Sequence, residues 1–251
     1  MCIRDRPPSA RAAPAVAAPR VPPNAGRLVY SAVLPAGVPS PEAEARLEMR
    51  ARELLRALAR MAVDHELVVA GEIPSRFARE LERSSERIRV VPLPGATLGE
   101  ALRAGCEAAR GDYLLPWPPA LPCGLRDLTP YVARAGAADV ILGFPARRPL
   151  LPRGARLRTA FGALLVRALF GLRLRDLDWV GLYRAELLRR LDTSEPGLTW
   201  MTEVLVRLRD GGASFEEITD APSRSRGAAP ERVWGRPGVR DLVRFWWRWR
   251  R

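Results

Sequence analysis

The chain has 251 residues, 47% of them hydrophobic, which is enough to build a substantial core in one large domain or two small ones. Its net charge is +13, yet every basic residue is arginine: lysine is absent, and asparagine occurs only at position 24. That bias explains the basicity as readily as selection for charge does, so the charge alone establishes no nucleic-acid partner, and none is expected.

Residues 1–26, rich in Ala, Pro and Arg, lack the continuous apolar stretch of a signal peptide and are expected to be a disordered lead-in. From Leu28 the chain alternates between two periods. "LVYSAVLP" is a short apolar run closed by Pro35, as in a buried strand. Ser40 then suits an N-cap and Pro41 a first helical position, followed by Leu47, Leu54, Leu55, Leu58 and Met61 at helical spacing. "HELVVAG" reads as a second strand, "PSRFARELERSS" as a short polar helix, and "RIRVVPLPG" as a third strand. In "TLGEALRAGCEAARG", Thr97 and Glu100 have the spacing of a capping box, and Gly111 is the expected helix stop. "DYLLPW", a broken helix in "GLRDLTPYVARAG", and "ADVILGF" continue the alternation.

This strand–helix rhythm predicts an α/β fold: a mostly parallel central sheet with helices on both faces. Such sheets bind ligands beyond the carboxyl ends of their strands. The expected site therefore includes Pro35-Ala36-Gly37, Ala70-Gly71-Glu72 and the stretch from Trp117 to Leu121. After Phe144 come a basic loop, an amphipathic helix over Leu157–Phe170, a turn entering a short helix in "RDLDWVGLYRAELLRRL", and a helix in "LTWMTEVLVRLRDGG". "ASFEEITDAP" is the last strand, followed by a basic, Gly-rich loop and a basic-aromatic helix ending in "VRFWWRWRR". The expected organisation is a main domain over 27–222, then the loop and terminal helix over 223–251.

Cys2, Cys106 and Cys123 have neither metal-ligand spacing nor a pairing framework, which suits a reduced, cytoplasmic setting. The single His65 cannot build a histidine metal site and reads as a partly exposed residue leading into a strand. No apolar run is long and charge-free enough to span a bilayer; the closest, Leu157–Leu174, carries Arg158, Arg167 and Arg173.

From Arg27 onward the order of motifs resembles the family-2 glycosyltransferases, which have the nucleotide-sugar-binding fold called GT-A. The nearest branch by resemblance is the dolichyl- and polyprenyl-phosphate sugar transferases. "LGEALRAGCEAARGDYLL" is the most specific stretch. "SAVLPAG", "HELVVAG", "ADVILGFPARR", "RALFGLRLRDLDWVGLYRAELL" and "EVLVRLRDGGASFEEI" follow in register, and the Arg-Gly-rich loop from Arg224 resembles the family's late basic loop. The resemblance implies sugar transfer from a nucleotide-sugar donor to a lipid phosphate or another glycan precursor. It also implies a cytoplasmic location, peripheral at the inner face of a membrane.

The departures from the family pattern fall where its chemistry sits. Ala70 and Gly71, with Glu72 beyond, stand where the family has adjacent carboxylates for the base and ribose, and Gly37-Val38-Pro39 replaces its Asn-Glu. Pro118, Pro119 and Ala120 stand where an Asp-x-Asp would bind Mg or Mn and the sugar diphosphate. Those side chains offer no oxygen ligand, and the two prolines have no N–H for a phosphate. Arg147, Arg148, Arg153, Arg224 and Arg226 are candidate diphosphate or acceptor clamps, or else solvated surface residues.

The resemblance also implies acceptor-side carboxylates: Asp176 and Asp178, and Glu203 as a group near the reacting hydroxyl. A helix cap for Asp178 and a helix-surface charge for Glu203 are the plain alternatives. The tail supports two readings as well: a membrane-interface helix, or a helix that packs its aromatics on the domain. For the whole chain, a catalytically degenerate transferase and a non-catalytic adaptor for a membrane or a nucleic acid remain the alternatives to an active enzyme.

Overall fold

The computed structural model describes residues 28–37, 40–61, 63–117, 128–145, 164–175, 180–197, 199–220 and 239–251. Among these residues seven strands form one sheet: Val29–Ala36 (β1), Asp64–Gly71 (β2), Ile88–Pro92 (β3), Tyr113–Pro116 (β4), Val140–Pro145 (β5), Gly181–Arg184 (β6) and Phe215–Asp220 (β7). Their spatial order is β3-β2-β1-β4-β6-β5-β7. β6 runs antiparallel to β4 and β5; all other neighbours are parallel. The helices are Pro41–Ala59 (α1), Ser75–Ser84 (α2), Leu98–Ala108 (α3), Thr129–Val132 (α4), residues 164–170 (α5), Ala185–Arg189 (α6), Thr199–Asp210 (α7) and Val239–Trp249 (α8).

Local signals account for the starts of α1 and α3. Ser40 caps α1 by accepting from the Ala43 N–H, with Pro41 in the first turn. Thr97 and Glu100 form the reciprocal capping box on α3. The parallel pairs leave apolar side chains on both sheet faces, and helices cover both. α1, α2 and α4 pack on one face with Leu54, Leu58, Leu81 and Tyr131. α3, α5, α6, α7 and α8 cover the other with Leu102, Phe170, Leu188, Val204 and Phe245. Burying one such side chain stabilises the fold by about 1.5–3 kcal/mol.

β6 is absent from the sequence-based expectation, which has a turn entering a helix there. Four residues are too few to display alternation, and the helix expected at that point, α6, begins at the very next residue. Of the helix expected over Leu157–Phe170, only 164–170 lies among the described residues. His65 is buried rather than partly exposed: it lies within β2, and its ring Nδ1 is 2.8 Å from the Val63 carbonyl oxygen. Gly111 does not stop α3, which ends at Ala108. Its place is fixed by close approach, since a Cβ there would stand 2.5 Å from Ser31 Oγ and 2.9 Å from its amide nitrogen.

A row of polar contacts closes the amino-terminal edge of the sheet. Ser31 Oγ donates to Glu66 at 2.7 Å and accepts from the Gly111 N–H at 2.8 Å. Glu66 also takes the Arg110 N–H and lies 3.6 Å from Arg89. Asp112, just ahead of β4, accepts from the Val29 N–H at 2.9 Å and so has a structural role. Asp139 accepts from the Ser214 amide and hydroxyl and pairs with Arg184 at 3.2 Å. Together these contacts tie β1, β2, β4, β5, β6 and β7 at one end.

Candidate functional site

The opposite edge is set by strand register. Ala36 lies opposite Gly71, Gly71 opposite Pro92, and Val33 opposite Pro116. Pro35, Ala36, Gly37, Ala70, Gly71 and Glu72 thereby lie at two neighbouring strand ends, with Pro35, Ala36, Ala70 and Gly71 buried and Gly37 and Glu72 half-buried. Gly71 has φ of 133° and its carbonyl accepts from the Leu93 N–H at 2.7 Å. A Cβ at Gly71 would stand 2.2 Å from the Ala36 carbonyl oxygen, so the chain permits no side chain there. Of the residues that directly follow β1 to β4 (Gly37, Glu72, Leu93 and Trp117), only Glu72 is acidic, and its side chain is half-buried.

Trp117 departs from expectation. Its N–H donates to the Val33 carbonyl at 2.8 Å, which carries the pairing one residue beyond β4, and its side chain is fully buried in the core with Tyr131 and Leu128. It is a packing residue that fixes where the next segment leaves the sheet, not part of the ligand-facing stretch. Pro118 and Ala120 lie outside the described residues, as do Arg147, Arg148, Arg153, Asp176, Asp178, Arg224 and Arg226.

The described residues on either side of Asp176 and Asp178 are well placed, however. Arg175 lies with its guanidinium 4.5 Å from the centroid of Phe144, and its N–H donates to Glu217 at 2.7 Å. The Val180 carbonyl accepts from the Gly143 N–H at 2.9 Å, and Val180 is fully buried. Because β6 is antiparallel, both flanks stand at the carboxyl end of β5, along the edge that carries Ala36 and Gly71. Sequence reasoning passed over Arg175; its signal is that it directly precedes Asp176.

Glu203 is fully buried, which overturns the helix-surface alternative. One carboxylate oxygen accepts from the Ser194 and Glu195 N–H groups at 2.9 and 2.8 Å, and the other accepts from Arg207 at 2.9 Å. Three donors and complete burial leave this carboxylate closed to an incoming hydroxyl. What it does is hold the loop 193–197. That loop docks on the start of α3, where the Gly99 N–H donates to the Pro196 carbonyl at 2.7 Å and Arg103 donates to the Thr193 carbonyl. Burial raises the pKa of Glu195, against the pull of Arg248, which pairs with it directly. Cys106 and Tyr183 are also raised by burial, which leaves a neutral thiol and phenol beneath α6.

A divalent metal needs several oxygen ligands around one point. Among the described residues no group of three or more His, Cys, Asp or Glu side chains is placed to hold one. The segment that directly follows Trp117 begins Pro118-Pro119-Ala120, whose side chains carry no oxygen to offer a metal.

No protein-family model and no curated protein matches this chain. Solved structures do. Glucosyl-3-phosphoglycerate synthase from Mycobacterium tuberculosis in complex with UDP has a TM-score of 0.60 at 19% identity, over 88% of this chain and 81% of that one. The fold is GT-A. The same synthase with Mn2+, UDP and glucosyl-3-phosphoglycerate scores 0.54 at 21% identity, over 81% and 74% of the two chains. With Mn2+, UDP-glucose and glycerol 3-phosphate it scores 0.55 at 20% identity, again over 81% and 74%. The GT-A sheet of the present chain is thus shared with glycosyltransferases at an identity that speaks for the fold. Among its described residues no helix is long and apolar enough to cross a membrane.

Proposed function

We propose that the carboxyl-terminal edge of this GT-A sheet binds a nucleotide-sugar and transfers its sugar to an acceptor that bears a phosphate or belongs to a glycan precursor. The observation that carries the reading is the convergence of Pro35-Ala36-Gly37 and Ala70-Gly71-Glu72 on one edge of a fold shared with UDP- and UDP-glucose-bound transferases. The first two strand ends would receive the base and ribose, with Glu72 as the hydrogen-bond acceptor for a ribose hydroxyl. Pro118 and Ala120 would face the diphosphate. Arg147, Arg148, Arg224 and Arg226, together with Arg175, would neutralise it, since guanidinium groups pair with phosphate in bidentate fashion.

In the transfer, the bond between the sugar's anomeric carbon and the diphosphate oxygen breaks, and that oxygen keeps the electron pair. A new bond forms from the anomeric carbon to the acceptor oxygen. An acceptor hydroxyl would give its proton to Asp176, with Asp178 beside it; an ionised phosphate acceptor, such as a lipid phosphate, needs no base. Glu203 would act indirectly, by holding the loop 193–197.

The Pro118-Pro119-Ala120 sequence specifically favours a second reading, in which the chain binds donor but transfers weakly or not at all. Calorimetry against UDP-, GDP- and TDP-sugars with and without Mn2+, joined to a product assay, separates these outcomes. Saturable binding that Mn2+ does not strengthen, with product formed in EDTA, supports the first reading. The same binding with no product supports the second. Mn2+-dependent transfer abolished by EDTA sinks the degenerate reading and the arginine clamp together. A complete lack of nucleotide-sugar affinity would leave the adaptor alternative.

A further inference from the structure

We propose that the outward face of α8 is a docking surface for an anionic membrane. Periodicity divides this helix into two stripes. Leu242, Phe245 and Trp249 face the domain, where Phe245 stacks on Phe170 at 5.0 Å between ring centroids and Trp249 meets the same ring edge-on at 5.6 Å. On the other stripe Val239 and Trp247 are exposed, with Val243 half-buried between them. Val239, Val243 and Trp247 recur every four residues and so form one ridge along the helix. Val239 is 50% and Trp247 58% exposed, and no other described helix has two large apolar side chains so far out in solvent.

Beside that ridge run Arg240 and Arg244, both exposed, with Arg251 one turn beyond Trp247. Arg250 lies over the Trp246 ring at 4.3 Å, and Trp246 meets Trp247 edge-on at 5.4 Å, so the protruding indole is braced by its neighbours. The helix has one acid, Asp241, at the margin of its packed side. A tryptophan–valine ridge flanked by arginines matches the boundary of a bilayer, where the indole sits at headgroup depth, the valines reach the upper acyl region and the guanidinium groups meet lipid phosphates. A single-stranded nucleic acid would use the arginines and the indole but has no use for Val239 and Val243, which offer neither stacking nor hydrogen bonds. The inference does not rest on sugar transfer.

The test is co-sedimentation of the full chain with phosphatidylcholine vesicles, with and without phosphatidylglycerol, beside a single-stranded oligonucleotide. Deleting the tail is a poor test, because it would also remove Phe245 and Trp249 from the core; point variants on the outer stripe leave the packing intact. Binding to the anionic vesicles should fall as salt is raised. It should drop about fivefold for each of Arg240→Gln and Arg244→Gln, and at least about fivefold for Trp247→Ala. Arg52→Gln, on α1 across the sheet, should change it least. Equal binding to neutral vesicles, indifference to the outer-stripe variants, or oligonucleotide binding lost with those same variants would each overturn the proposal.

Discussion

At the amino-terminal edge of the sheet, Glu66, Asp112 and Asp139 each have a carboxylate held by named donors from a neighbouring strand or loop. At the carboxyl-terminal edge, β1 to β4 end in Ala36, Gly71, Pro92 and Pro116, and Glu72 is the only acid directly behind them. The difference shows where the polar residues of this chain are used. Those at the first edge are part of the scaffold, because their partners are backbone and side-chain groups of the strands and of the segments that lead into them. The second edge, among the described residues, is left with backbone and small side chains, with Glu72 behind β2 and Arg175 beside Phe144 and Glu217. Substitutions at the first edge should therefore read out as stability, and those at the second as binding.

The largest effect should come from a position at the second edge that is structural. Gly71→Val must adopt an unfavourable φ and also meet the Ala36 carbonyl, so urea denaturation should show a loss of at least about 3 kcal/mol. At the first edge, Glu66→Ala strands the Ser31 hydroxyl, the Arg110 N–H and Arg89, and should lose about 2–3 kcal/mol by the same measurement, with Glu66→Gln recovering part of it. Glu72→Ala should invert that pattern: stability within about 0.5 kcal/mol of the parent, but nucleotide-sugar binding about tenfold weaker by calorimetry. Equal stability losses from Glu66→Ala and Glu72→Ala would erase the contrast between the edges.

The smallest effect concerns alkaline pH. Burial, then the neighbouring Tyr113 and Asp112, push the Tyr30 hydroxyl up to about 12. The folded state thus holds this proton more tightly than the unfolded chain, whose tyrosines titrate near 10. The resulting stability is fully present below pH 10 and is lost as pH rises towards 12. Denaturation midpoints at intervals across that window should fall, and Tyr30→Phe should flatten part of the fall.

Elements whose signals are local were legible in the sequence. Ser40, Pro41, Thr97 and Glu100 carry their cap geometry in a few adjacent residues, and α1 and α3 begin where those residues place them. The strand ends at Ala36 and Gly71 followed from apolar runs closed by Pro and Gly. β6 was not legible, because a four-residue strand between two others is defined by pairing partners far away in the chain. Glu203 looked like a surface charge because helix periodicity does not reveal that a distant loop folds back onto its carboxylate. Trp117 was legible as the end of the strand "DYLLPW", but its exclusion from the ligand-facing stretch was not, because its burial rests on Tyr131 and Leu128 further along the chain.

The contact between Gly71 and the Ala36 carbonyl also bears on how this edge could be redesigned. The first atom of any side chain at Gly71 collides with backbone, so an acid cannot be installed there by substitution alone. Such a design would have to rebuild the end of β1 first. The close seating of two strands thus acts as a latch on the backbone, one that holds only while that position stays bare.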